Sequence, residues 1–173
     1  MPQYTIQEYA TLLTRTYAPR FPRDDRPRTV TDVTDKGEEV LEFILPNPTD
    51  GRFSISLQVW TYKDLVSDCS LFFGRAEVAG RLDPDEAIPA MDVILNDGIV
   101  AVVRYKNREA YENHRKAANG QAEWLFQIPD DAEELDRMLA KLKKTASFME
   151  KVSGRLTGVF EVYRWSGCEV LER

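Results

Sequence analysis

The apolar pattern changes period close to residue 28, and that change divides the chain's opening. Ile6, Tyr9, Ala10, Leu13 and Tyr17 recur at three- and four-residue steps, which places them on one face of a helix. Thr5-Ile6-Gln7-Glu8 ahead of them has the Thr-x-x-Glu form, in which each side chain satisfies the other residue's free backbone donor. Pro19 and Pro22 end that helix. From Thr29 to Gly74 the period is two. Thr29–Asp35 and Glu38–Leu45 are joined by Lys36-Gly37, and Asn47-Pro48-Thr49-Asp50-Gly51 punctuates the next connection. Phe53, Ile55, Leu57 and Val59 then alternate with Ser54, Ser56, Gln58 and Trp60, so one face is buried and the other mostly wet, with Trp60 the exception. Asp68–Gly74 completes four strands whose short connections favour an antiparallel meander.

Beyond Gly74 the signals are punctuation first and periodicity second. Gly74 and Gly80 mark bends or bulges, and Asp83-Pro84-Asp85-Glu86 combines a cap, a proline at the first helical position and a glutamate at the third. The helix they start runs through Ala87, Ile88, Met91, Ile94 and Leu95 to Asn96-Asp97-Gly98. Ile99–Tyr105 reads as a strand buried on both faces. Asn107–Ala118 is charged and weakly periodic, a surface helix or an insertion. Asn119-Gly120 precedes an alternating strand through Ala122, Trp124, Phe126 and Ile128. The longest helix is expected from Asp131 to Val152, with Leu135, Met138, Leu139, Leu142, Ala146, Met149 and Val152 inward. Arg155–Arg164 and Cys168–Leu171 close the chain as a hairpin through Trp165-Ser166-Gly167. With no repeat and no dividing linker, residues 1–173 are expected to form one α+β domain. Its mainly antiparallel sheet would have about six to eight strands, packed by an N-terminal, a middle and a long C-terminal helix.

Composition narrows the classes of function. The 173 residues carry 23 Lys and Arg against 29 Asp and Glu, a formal charge of −6, with 43% hydrophobic residues. That balance disfavours nucleic acid, because a sequence-independent grip on phosphates needs a concentrated cationic surface. Only Arg15, Arg20, Arg23, Arg26 and Arg28 cluster, and Asp24 and Asp25 offset them, so this stretch reads as a solvated loop. The longest apolar run, Ile99–Val103, is far short of the ~20 residues that cross a bilayer. No charged leader precedes the first helix, and the two cysteines, Cys69 and Cys168, have no metal-ligand or redox spacing, so a cytoplasmic protein with reduced thiols is expected.

Each candidate for chemistry has a structural explanation. Cys69 is the natural nucleophile, but a thiol needs a base or a positive dipole, and the single histidine, His114, lies beyond a helix and a strand. It reads as a strand cysteine, and His114 as a surface residue beside Glu112 and Arg115. One histidine excludes a multi-histidine zinc site, and the acids at Asp83, Asp85 and Glu86 are explained by capping, as are those at Asp130, Asp131, Glu133 and Glu134. Residues 74–80 hold two glycines without the phosphate-cradling pattern. No catalytic residue, metal or cofactor is assigned. What exceeds the structural explanation is aromatic: Trp60 and Tyr62, with Phe72 or Phe73, on the sheet face opposite the core, an exposed patch if no helix covers it. Glu109 to His114, with the acidic start of the long helix, would add a charged rim able to steer a basic protein partner. Trp60, Tyr62, Glu109, Tyr111 and His114 are therefore the candidate partner-binding residues.

The order Val59-Trp60-Thr61, Leu71-Phe72-Phe73-Gly74, a helix from Asp83 and then residues 94–102 (ILNDGIVAV) resembles small bacterial α+β proteins, some of them immunity proteins to secreted toxins. The resemblance covers about the middle third of the chain. It implies a non-catalytic protein that holds a partner toxin. That group has histidines soon after Phe-Gly, whereas Arg75, Ala76 and Glu77 follow here, so any function of those histidines does not carry over. Two other readings are a small-molecule site between sheet and C-terminal helix, lined by Trp124, Phe126, Phe148 and Phe160, and a homo-oligomer.

Overall fold

In the computed structural model, the described residues are 3–35, 37–74, 76–105, 107–116, 124–129 and 158–172. The chain divides into two compact units, Met1–Asn96 and Asp97–Arg173.

The first unit is a five-stranded antiparallel meander with two helices against one face. Its strands are β1 (Arg28–Val33), β2 (Glu39–Leu45), β3 (Ile55–Tyr62), β4 (Leu65–Phe73) and β5 (Ala76–Leu82), paired in that order. The alternation of Ile55, Leu57 and Val59 with Ser56, Gln58 and Trp60 separates the faces: the first three are fully buried, the others only partly. Leu41, Phe43 and Leu45 of β2 and Cys69, Leu71 and Phe73 of β4 extend the buried face.

Helices α1 (Ile6–Tyr17) and α2 (Pro84–Leu95) cover that face. Both bonds of the Thr5/Glu8 capping box are present, and at the second helix Glu86 accepts from Asp83 N at 3.3 Å while Glu86 N donates to the Asp83 carbonyl. Accepting the Thr5 backbone and hydroxyl protons holds the Glu8 carboxyl below its usual range. Buried Ile6, Tyr9, Leu13 and Tyr17 of α1 meet Ala87, Met91 and Ile94 of α2 and the sheet. Two tyrosine hydroxyls find acceptors inside this layer, which offsets the cost of burying them. Tyr9 Oη donates to the Pro84 carbonyl at 2.7 Å and Tyr17 Oη to the Ile88 carbonyl at 3.2 Å. Arg20, in the arginine-rich connector, pairs with Asp92 at 2.7 Å and lies over the Tyr17 ring.

The second unit holds a four-stranded antiparallel sheet in the order β7 (Trp124–Pro129), β6 (Ile99–Tyr105), β8 (Val159–Arg164), β9 (Gly167–Glu172). Helix α3 (Arg108–Lys116) packs its Tyr111 ring edge-on to Tyr105, centroids 5.3 Å apart.

These elements correct the expected fold class. The strands form two separate antiparallel sheets of five and four, not one of six to eight. Strand periodicity reports which face of a strand is buried, whereas partnership between distant strands is settled by hydrogen bonds that leave no local trace. Residues 76–82, to which the sequence assigns no strand and where Gly80 marks a bend or bulge, are also a strand, with register shifts in its pairing to β4. The helices of the described residues are no longer than 12 residues, and the long C-terminal helix expected from Asp131 to Val152 lies outside those residues.

Candidate functional site

Cross-strand register sets which side chains share the face opposite the helices. Val40 opposes Trp60, Glu42 opposes Gln58, and Ile44 opposes Ser56. Trp60 in turn opposes Asp68, and Phe72 opposes Glu77. β1 adds Arg28, Val30 and Asp32, opposite Ile44, Glu42 and Val40. Both described helices of this unit lie on the other side, so these residues face outward.

Trp60, half-buried, stands between two hollows that share it as a wall. One, of about 290 Å³, is lined by Val30, Asp32, Val40, Glu42 and Gln58 among others. The other, of about 600 Å³, has Tyr62, Asp68, Ser70, Glu77 and Arg81 along it. Both are open to solvent, a shape that suits another surface better than an enclosed small molecule. Tyr62 is 68% exposed and packs its ring under the Lys63 ammonium, 5.3 Å away.

The face is electronegative. Asp32, Glu38, Glu42, Asp68 and Glu77 line the hollows, and Arg81 is the one cation there among the described residues. None of these five carboxylates makes an ion pair to a described residue; Glu42 instead accepts from Ser56 Oγ at 2.6 Å and Asp68 from Ser67 Oγ at 3.1 Å. The charge asymmetry runs through the whole unit. Residues 1–96 hold 16 acids and 10 bases, while residues 97–173 hold 13 of each, so the net −6 belongs entirely to the first unit.

Two local irregularities shape the second hollow. The β4–β5 pairing shifts register between Cys69 and Leu71 and again between Leu71 and Phe72, and Arg81 takes φ +56°, a left-handed conformation costly for a residue with a side chain. The Glu77 carboxylate lies against Gly80, on the side where a Cβ would stand. The bulged strand thereby turns Glu77 and Arg81 along the groove.

The other sequence candidates separate. Glu109 is exposed on α3, Tyr111 is 5% exposed and belongs to the core of the second unit, and the His114 side chain lies outside the described residues. Cys69 has no exposure, and its Sγ lies 3.9 Å from Tyr9 Oη. Burial pushes its thiol up to about 12, the reverse of what a nucleophile needs. Native protein should therefore release one rapidly reacting thiol per chain to a colorimetric disulfide reagent, from exposed Cys168, and two after unfolding; fast reaction of both in the native state contradicts this placement.

Burial of Cys69, and of Tyr9 and Tyr17, whose hydroxyls it also raises, sets a pH dependence. The unfolded thiol ionises near its ordinary 9.0, and the folded one holds its proton to about 12. Between those values the unfolded chain binds fewer protons, so stability falls as pH rises. Urea midpoints should be level from pH 7 to 8 and decline above about pH 9, less steeply in Cys69→Ala.

One buried acid was invisible in the sequence. Glu161 of β8 is 1% exposed and accepts from Tyr105 Oη at 2.7 Å. Its neighbours Phe160 and Val162 are buried as well, so alternation carries no signal there, and the pair reads as an internal polar tie. Among the described residues there is no group of three His, Cys, Asp or Glu placed to hold a metal, and no helix long and apolar enough to cross a membrane.

Compared with family models, with curated proteins and with solved structures, the chain matches none.

Proposed function

We propose that this chain is a non-catalytic protein-binding module that takes a basic protein partner on the open face of its five-stranded sheet. The observation that carries the reading is Trp60, half-buried between two open hollows and ringed by carboxylates that make no ion pair to a described residue. A rigid indole is the commonest kind of energetic anchor at an interface, because it brings a large area at little entropic cost. Surrounding charges of one sign steer the opposite sign and raise the association rate. Holding a cationic toxin, the role that the sequence resemblance implies, is one activity of this class. Two cysteines that form no disulfide, one buried and one exposed, suit a reducing compartment such as the cytoplasm.

No observation favours the small-molecule reading. Phe160 is buried in β8, Phe148 lies outside the described residues, and so do the side chains of Trp124 and Phe126.

The test is photo-cross-linking from position 62 in extracts of the cells that make the protein, with position 93, exposed on α2, as control. A partner captured only from 62 should have a basic isoelectric point and be lost as salt rises from 50 to 500 mM, conditions chosen to screen exposed charges. Equal capture from 93, or capture of acidic proteins indifferent to salt, counts against the reading.

A further inference from the structure

The two edges of the five-stranded sheet are finished differently. β5 carries two register shifts and a left-handed Arg81, devices that twist an edge away from further pairing. β1 has none. Its six residues pair with β2 without a shift, every one of them is exposed, and the strand contains neither lysine nor proline. Val30 is 50% and Val33 59% exposed. A regular, β-branched, uncovered edge is a template for another strand.

Backbone geometry limits how that strand could pair. Thr34 N donates to the Glu38 carbonyl across the β1–β2 turn, and antiparallel residues alternate in direction. Arg28, Val30 and Asp32 therefore turn their backbone groups toward β2, and Thr29, Thr31 and Val33 turn theirs to the free edge. Consistently, Val33 N is met only by the neighbouring Asp32 carboxylate, at 2.8 Å. A second β1 laid antiparallel must match Thr29, Thr31 and Val33 with their own kind. One register that does so is centred on Val30. It sets Thr29 against Thr31, Val30 against Val30, and Arg28 against Asp32 on both sides of the axis. Val33 N then meets the carbonyl of Pro27, a residue with no donor to lose. Arg28 makes no ion pair to a described residue, and Asp32 only caps Val33. Shifting the register by two residues in either direction loses the Arg28–Asp32 match.

We infer that β1 is a self-complementary edge through which two copies of this chain pair into one continuous ten-stranded sheet. The Thr29–Thr31 pairs exchange backbone hydrogen bonds, the two Val30 side chains meet at the axis, and two Arg28–Asp32 pairs fix the register. The contact is small, so the dimer is weak and concentration-dependent. Pairing at the edge engages Val30 and Asp32, which also line the first hollow, and places the two Trp60 faces side by side. This inference does not depend on what those faces bind.

Sedimentation equilibrium on the full chain tests it. Wild type should dimerise with a dissociation constant on the order of 100 µM. Arg28→Asp alone sets Asp against Asp, and Asp32→Arg alone sets Arg against Arg, so each should weaken self-association at least ~10-fold. Mixed in equal amounts, the two variants should associate with each other to within ~3-fold of wild type, because each contact again joins opposite charges. Circular dichroism of each variant, unchanged from wild type, keeps the comparison on the edge. A wild type that stays monomeric to about 1 mM, single variants that dimerise as well as wild type, or a mixture that does not regain association would overturn the inference.

Discussion

Truncating Trp60 to alanine should weaken binding of the basic partner at least about 30-fold, or ~2 kcal/mol, the scale of a central aromatic anchor. The indole forms a wall of both hollows, so its removal merges them and leaves the partner group that covers it half-solvated. The fold should lose little, about 1 kcal/mol or less, because the side chain lies on the outer face, where its neighbours are Val40 and Asp68 across the strands. Isothermal titration with the captured partner, beside a urea melt of the same variant, separates the two effects. Charge should act differently. Glu42→Lys or Glu77→Lys is expected to slow association and flatten its salt dependence, with a smaller change in dissociation rate. A Trp60→Ala variant that binds as wild type while a charge variant does not would move the anchor elsewhere on the face.

Phe43→Ala should cost about 3–5 kcal/mol of the first unit's stability, measured as a fall in urea midpoint with the slope preserved. Phe43 is fully buried on β2, its ring 6.0 Å from that of Tyr17, at the contact between α1 and the sheet. Removing it leaves a cavity that a helix held by the Arg20–Asp92 pair and the Tyr17–Ile88 hydrogen bond cannot readily close. Against a typical total of about 5–15 kcal/mol, that is a large share. A loss below about 1 kcal/mol would show that α1 does not pack as described.

The legible parts of the fold were those that chemistry writes locally. Thr5 with Glu8, and Asp83 with Glu86, announce their helix starts because capping is an interaction between residues three apart. Alternation from Phe53 to Trp60 separates the covered face of β3 from the outer one, which is why Trp60 stands out as a large aromatic among serine and glutamine. The hidden parts depend on distance or on cost paid elsewhere. The β3–β4 hairpin turns on Lys63 and Asp64, both at positive φ and neither a glycine, so Leu65 and Val66 carry no sign that they begin a strand. β5 is interrupted by its own bulges, and its glycine reads as a bend until Glu77 is seen to occupy the space beside it. Division of the strands into two sheets is wholly non-local. So is the placement of Glu42, Asp68 and Glu77 around Trp60: three acids from three strands, far apart in sequence and adjacent only through register. Tyr111 illustrates the converse, an aromatic in a charged helix that turns inward onto Tyr105.

Hydroxyl-radical footprinting of the complex, read by mass spectrometry, tests most directly whether the partner sits on this face. Trp60 and Tyr62 should lose most of their reactivity when the basic partner is bound, while exposed Val93 and Cys168 keep theirs. Undiminished oxidation of Trp60 and Tyr62 in a saturated complex, with protection appearing elsewhere, would contradict it.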